Sequence, residues 1–168
     1  MQMHGKYLVV AWGGRNRSDD TAVLLALADS LAGQVAQDVE ILCVPQLGPE
    51  LVDDVAGADH VLFIDVHAHP SWPDLVVEEV EPTERCSTGP WYSEPGELLT
   101  MSQLLYHRRP AAWLVASRAC EAGRGSTLSR RSLKLLDATR RVVLSMLPAA
   151  EPGESAGCLP RSRFSWQE

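Results

Sequence analysis

The sequence predicts an α/β fold: a three-layer sandwich with a mostly parallel central sheet of about five strands and helices on both faces. Two observations carry this. Short apolar, β-branched runs recur along the chain, and between them lie stretches whose apolar residues repeat at helical spacing. Strands alternating with helices pack as a sheet covered on both sides.

Each element has its own signal. Lys6–Trp12 (KYLVVAW) is an apolar run that stops at Gly13-Gly14, the mark of a buried strand entering a turn. Ser18, Asp19 and Asp20 precede TAVLLALADSLAG, a capping signal before a helix whose Val23, Leu24, Leu27, Ala28 and Leu31 share one face. Gly33 is its expected C-cap. Val39–Val44 (VEILCV) is the second strand, and Pro49–Ala56 a short helix with proline at its start. His60–Asp65 (HVLFID) is the third strand, apolar until its terminal carboxylate, and Leu75–Val80 the fourth. Glu97–His107 is a helix ended before Pro110, Ala112–Ser117 the fifth strand, and Leu128–Leu147 the last helix. Residues 1–147 therefore read as one domain, and the Pro-, Gly-, Ser- and Glu-rich residues 148–168 as a poorly ordered tail.

Composition narrows the function classes. The 168 residues are 45% hydrophobic and carry a net charge of -7. That total argues against a general nucleic-acid binder, which would show a basic footprint. No apolar stretch approaches the ~20 residues that a membrane span needs. Cys43, Cys86, Cys120 and Cys158 form no C-x-x-C pair and are expected as reduced thiols in a cytoplasmic protein. Charge is unevenly placed: residues 1–100 hold 17 acidic and 4 basic side chains, and the remainder 5 and 11. Either the acidic stretch Glu78–Glu97 or the arginine-rich last helix offers a contact face for a partner. The absence of a long exposed apolar stripe points to a monomer.

In open α/β sheets, sites form beyond the carboxyl ends of strands where the strand order reverses. That rule selects the turn Gly13–Asp20 and the stretch Asp65–His69. Asp19 and Asp20 suit a helix N-terminus by capping and dipole, yet two adjacent carboxylates exceed what capping requires. The Gly13–Arg17 turn is not a P-loop, since the G-x-x-x-x-G-K-[ST] spacing is missing. Asp65 is the sharper candidate, because burying an unpaired carboxylate at the end of VLFI is costly. If the strand continues, Asp65, His67 and His69 share one face and offer O and N ligands to a metal. Trp72 and Trp91 fall in loops near this edge. No G-x-S-x-G elbow or catalytic cysteine context is present.

These residues resemble the nickel–iron hydrogenase maturation endopeptidases. That family opens with a strand followed by G-x-G-N-x-x-x-x-D-[DE]-G-x-G and a helix. Here the pattern stands as Ala11-Trp12-Gly13-Gly14-Arg15-Asn16-Arg17-Ser18-Asp19-Asp20-Thr21-Ala22-Val23. Ala11 replaces the leading glycine, Gly14 the asparagine, and Thr21 and Val23 the later glycines. The second motif, an apolar strand ending in Asp, is HVLFID with Asp65. The third, a loop leading into an E-L-L helix, is Pro90–Leu99, where Trp91 takes the place of the family histidine. Order and spacing match over about residues 6–147.

The resemblance implies an endopeptidase that removes a C-terminal extension from the large-subunit precursor of a nickel–iron hydrogenase. It implies no obligatory cofactor, because the nickel arrives in the substrate. It places Asp20 and Asp65 as the metal-reading carboxylates, with Asp19 and Trp91 meeting the substrate. Asp20 or Asp65 is the natural general base, since a carboxylate near a cation stays ionised and can orient water. With tryptophan at the histidine position three outcomes stay open: His67 or His69 supplies the nitrogen, nickel is read weakly, or metal sensing is lost. A relative that binds a hydrogenase subunit or accessory factor without cutting it is the alternative.

Overall fold

A computed structural model describes residues 5–12, 18–67, 69–84, 94–118, 130–150 and 161–162, with the side chains of 18–22, 132, 161 and 162 excepted. In chain order the elements are β1 (Tyr7–Trp12), α1 (Ser18–Leu31), β2 (Val39–Val44), a 3-10 turn (Pro49–Leu51) and α2 (Val52–Ala56). They continue with β3 (His60–His67), β4 (Leu75–Glu79), α3 (Pro95–Tyr106), β5 (Ala111–Arg118), α4 (Arg130–Met146) and β6 (Arg161–Ser162). The five strands read from sequence are all present.

The strand order is β4-β5-β3-β1-β2-β6. Every neighbour pair is parallel except β4 with β5, which is antiparallel. β1 sits centrally with β2 on one side and β3 on the other, so the order reverses between β1 and β3. The carboxyl ends of these two strands are therefore the expected site. The sequence placed β4 but did not show its direction, since a short edge strand has the same period either way.

Alternation at a period of two divides the sheet residues between two cores. Tyr7, Val9, Ala11, Ile41, Leu62, Ile64 and Val115 pack under α1 and α4, meeting Leu24, Leu27, Leu31 and Val143. Leu8, Val10, Leu42, Val61, Phe63 and Ala112 pack under α2 and α3, meeting Val52, Val55, Leu98 and Leu99. Burying a side chain such as Phe63 contributes about 1.5–3 kcal/mol. Cys43 is free and buried in β2, where burial, with Asp29 nearby, pushes its thiol up to about 11. The other three cysteines lie outside the described residues.

Element ends follow local chemistry. α3 begins with Pro95 in its first turn and a capping box, in which Glu94 accepts from the Glu97 end of the turn and Glu97 accepts from the Glu94 N–H at 3.0 Å. Gly33, at φ 85°, closes α1 in the left-handed conformation that glycine adopts at low cost. The helix α1 starts at Ser18, so Asp19 and Asp20 lie within its first turn rather than before it.

Of residues 148–168, expected as a poorly ordered tail, those described are paired. Ala149 bridges Val35, and Arg161–Ser162 extends the sheet beside Leu42 and Cys43 of β2. The rest of that segment lies outside the described residues. Among the described residues, no helix is long and apolar enough to cross a membrane.

Candidate functional site

β3 runs past Asp65 to His67 because Asp65, Val66 and His67 pair with Ala116, Ser117 and Arg118 of β5. Counting alternate positions back from Asp65 through Phe63 and Val61 puts its side chain on the α2/α3 face. The parity of β1 brings Trp12 to the same face, with its indole edge-on to Phe63 at 6.2 Å between ring centres. β5 contributes Leu114 and Ala116 there.

Together these residues form the floor of a cleft of about 530 Å³. Residues 78–81, the end of β4 and the two residues after it, make one wall. Glu94, Pro95 and Gly96 at the start of α3 make another, and Trp72 closes the rim. The two walls are drawn together by hydrogen bonds: Thr83 N–H donates to the Gly96 carbonyl at 3.3 Å, and Thr100 Oγ1 to the Thr83 carbonyl at 2.7 Å. A Cβ on Gly96 would come within 2.8 Å of the Glu81 carbonyl oxygen, so glycine permits the close approach.

The cleft is acidic. Asp65, Glu78, Glu79, Glu81 and Glu94 all line it. Glu81 is paired with Arg109, and Glu94 serves the capping box. Asp65 is half-buried, and its Oδ1 accepts the Val66 N–H at 2.7 Å, which fixes the carboxylate at the strand end. A carboxylate held on a rigid strand over an apolar floor is suited to orienting water or meeting a cation presented from outside.

The two histidines take different roles. His67 is buried, with Nε2 2.9 Å from the Pro73 carbonyl, so it donates there, and its Nδ1 has no hydrogen-bond partner among the described residues. Its ring meets Trp72 edge-on at 5.2 Å, while His69 stacks on Trp72 at 5.2 Å. β3 ends at His67, so His69 does not continue the strand face, and its Nδ1 accepts the Ser71 N–H at 3.3 Å. Among the described residues, no three His, Cys, Asp or Glu side chains are grouped to hold a metal ion.

The turn carrying Trp72 is clasped from β5. Arg118 donates to one carboxylate oxygen of Asp74 at 2.6 Å, to the His69 carbonyl at 3.1 Å and to the Trp72 carbonyl. Arg118 then Arg131 hold the Asp74 carboxyl below its usual range.

Asp65 and Trp72 thus line the cleft, and the acidic stretch from Glu78 supplies a wall. The backbone of Asp19 and Asp20 lies in the first turn of α1, the helix that follows β1, but their side chains are not described. Trp91 and Gly14 lie outside the described residues. Ala11 is buried in β1, and Val23 is half-buried in α1. Sequence reading passed over Leu114, Ala116 and the Pro95-Gly96 start of α3. The signal for the β5 pair was available in the alternation of Ala112, Leu114 and Ala116.

No family model and no curated protein matches the chain. Solved structures do. The hydrogenase maturating endopeptidase HybD from E. coli superposes with a TM-score of 0.63 at 17% identity, over 86% of this chain and 96% of that one. The [NiFe] hydrogenase maturation protease HycI from Thermococcus kodakarensis gives 0.61 at 15%, over 86% and 94%. HybD from the same archaeon gives 0.58 at 16%, over 84% and 99%. The chain has the fold of these proteases, as the resemblance in its sequence implied.

Proposed function

We propose that this chain is a divergent hydrogenase maturation endopeptidase, which removes the C-terminal extension of a nickel–iron hydrogenase large-subunit precursor after nickel insertion. The observation that supports this most is Asp65: a carboxylate on the floor of an acidic cleft, at the switch point of a fold shared with hydrogenase maturation proteases.

In this reading nickel is part of the substrate. Asp65 faces it from β3, and Asp20 from the helix that follows the neighbouring strand β1. A carboxylate beside a cation stays ionised, which keeps it able to orient water and accept its proton. Water then adds to the peptide carbonyl, the C–N bond breaks, and the proton passes to the departing amine. Trp91 stands where the family carries a histidine. Along the chain, the imidazoles that follow Asp65 are His67 and His69, and His67 Nε2 is already engaged by Pro73. The substitution at Trp91 favours a second reading, a relative that binds the subunit without cutting it.

One experiment separates the two. Purified protein is mixed with nickel-loaded, extension-bearing large subunit, and the mass of the subunit is read. The expected result is a loss equal to the C-terminal peptide, absent with Asp65→Asn. A stable complex of unchanged mass would establish the binding role instead, and Trp91→His would be the first reversion to make.

A further inference from the structure

We propose that the outer edge of β4 receives an extended segment of the substrate, which joins the sheet there as a further strand. This rests on the endopeptidase reading above. β4 ends the strand order, and among the described residues its one strand partner is β5.

The direction of its backbone groups follows from the ladder. In an antiparallel pair, residues alternate between those that exchange hydrogen bonds with the partner and those whose N–H and C=O face away. The Arg118 N–H donates to the Asp74 carbonyl at 2.8 Å, and the Val80 N–H to the Ala112 carbonyl at 2.9 Å. Even-numbered positions therefore face β5, and Leu75, Val77 and Glu79 turn their N–H and C=O groups outward.

Three features make this edge receptive. Val77, at its middle, is 48% exposed, and proteins usually blunt an open edge rather than place an apolar β-branched residue on it. No proline interrupts Leu75–Glu79. Glu78 and Glu79 are exposed, and no cation of the described residues pairs with either. The occupant that fits is an extended peptide segment with cationic side chains beside these glutamates. Main-chain bonds would give such a segment its affinity and the side chains its register.

The edge is continuous with the cleft, because residues 78–81 serve as its wall. Val76 is level with Ala116 and Asp65 across β5 and β3. Strands lie about 4.8 Å apart, so an added strand beside Val76 runs roughly 14 Å from Asp65. About four or five extended residues cross that distance. A precursor tail could thus be held at β4 while its scissile bond lies at Asp65.

The test uses Val77→Pro. The Val77 N–H points outward, so proline there spares the β5 ladder and is tolerated as edge prolines are, while it blocks an incoming strand. We expect a folded protein whose KM for the precursor rises about tenfold with kcat little changed, since a main-chain bond is lost from binding alone. Val77→Thr, which keeps the N–H, should raise KM far less than Val77→Pro. In the complex of Asp65→Asn with the precursor, the amides of Val77 and Glu79 should gain protection from exchange, while those of Val76 and Glu78 stay as they were. Should the proline variant misfold, this amide pattern decides alone.

A folded Val77→Pro that cleaves with parental KM, or a complex without protection at Val77 and Glu79, overturns the edge site and leaves the endopeptidase reading standing. Protected amides in that complex, with a parental protein that leaves the precursor uncut, keep the edge site and remove the endopeptidase reading. No complex at all removes both.

Discussion

The amino end of the sheet and the cleft above β3 use the same residue types to opposite ends. At the amino end, Arg108 donates to the carbonyls of Ala56 and Ala58 at 3.2 and 3.4 Å and to the Asp59 carboxylate at 2.9 Å. The Lys6 N–H takes the other Asp59 oxygen at 2.9 Å. One carboxylate and one guanidinium there tie β1, β3 and the link into β5 together. In the cleft, five carboxylates line one cavity, and Arg109 pairs with one of them, Glu81. Like charges gathered around open space do little for stability. Their placement makes sense as a surface kept for something positive that arrives from outside.

The largest effect should come from breaking the cleft side. Asp65→Asn keeps the shape and removes the charge, so precursor cleavage should fall by about 10²–10⁴-fold, the range for a lost acid–base group. The thermal midpoint should hardly move, and mass spectrometry beside calorimetry reads both.

Next comes the layer that carries both regions. Phe63 is fully buried under α2 and α3 and props the Trp12 indole at the cleft floor. Phe63→Ala should cost about 3–5 kcal/mol in denaturant unfolding. A loss below about 1 kcal/mol would mean that the core closes over the cavity.

A smaller effect is expected at the amino end. Arg108→Ala leaves two carbonyls and Asp59 without their donor, but the site is half exposed, so about 1 kcal/mol is the expected loss. Cleavage should be unaffected, which sharpens the contrast with Asp65.

The smallest effect concerns pH. The Lys6 N–H, then Arg108, hold the Asp59 carboxyl below its ordinary 3.8. A lowered folded value means that the tie is fully present above 3.8 and fades as the pH falls further through the folded value. Denaturation midpoints taken from pH 7 down to pH 3 should therefore fall less steeply for Asp59→Asn than for the parent. Equal slopes would remove Asp59 from the acid response.

Much of this architecture could be read from the chain, for reasons that differ from place to place. β2 was placed to the residue because VEILCV is buried on both faces and bounded by turn formers. Asp65 stood out because a carboxylate after four apolar residues has few structural explanations. The extension of β3 to His67 was not legible, since it depends on β5 reaching Arg118 to pair with it. The antiparallel run of β4 and the pairing of Arg161–Ser162 with β2 were hidden for the same reason: a partner distant in sequence decides them. So were the Pro95-Gly96 and Leu114–Ala116 walls, which matter only once α3 is laid across the sheet.

The capping box at the start of α3 bears on turnover. Glu94 already occupies the end of the helix that would otherwise welcome an anion. Peptide hydrolysis in this cleft would create one new carboxylate and one new amine, the latter largely protonated near neutral pH. With the start of α3 taken by Glu94 and glutamates on two walls, the new carboxylate would be repelled while the ammonium is held. The trimmed subunit would then depart ahead of the short peptide. Added salt, by screening both forces, would bring the two departures closer together.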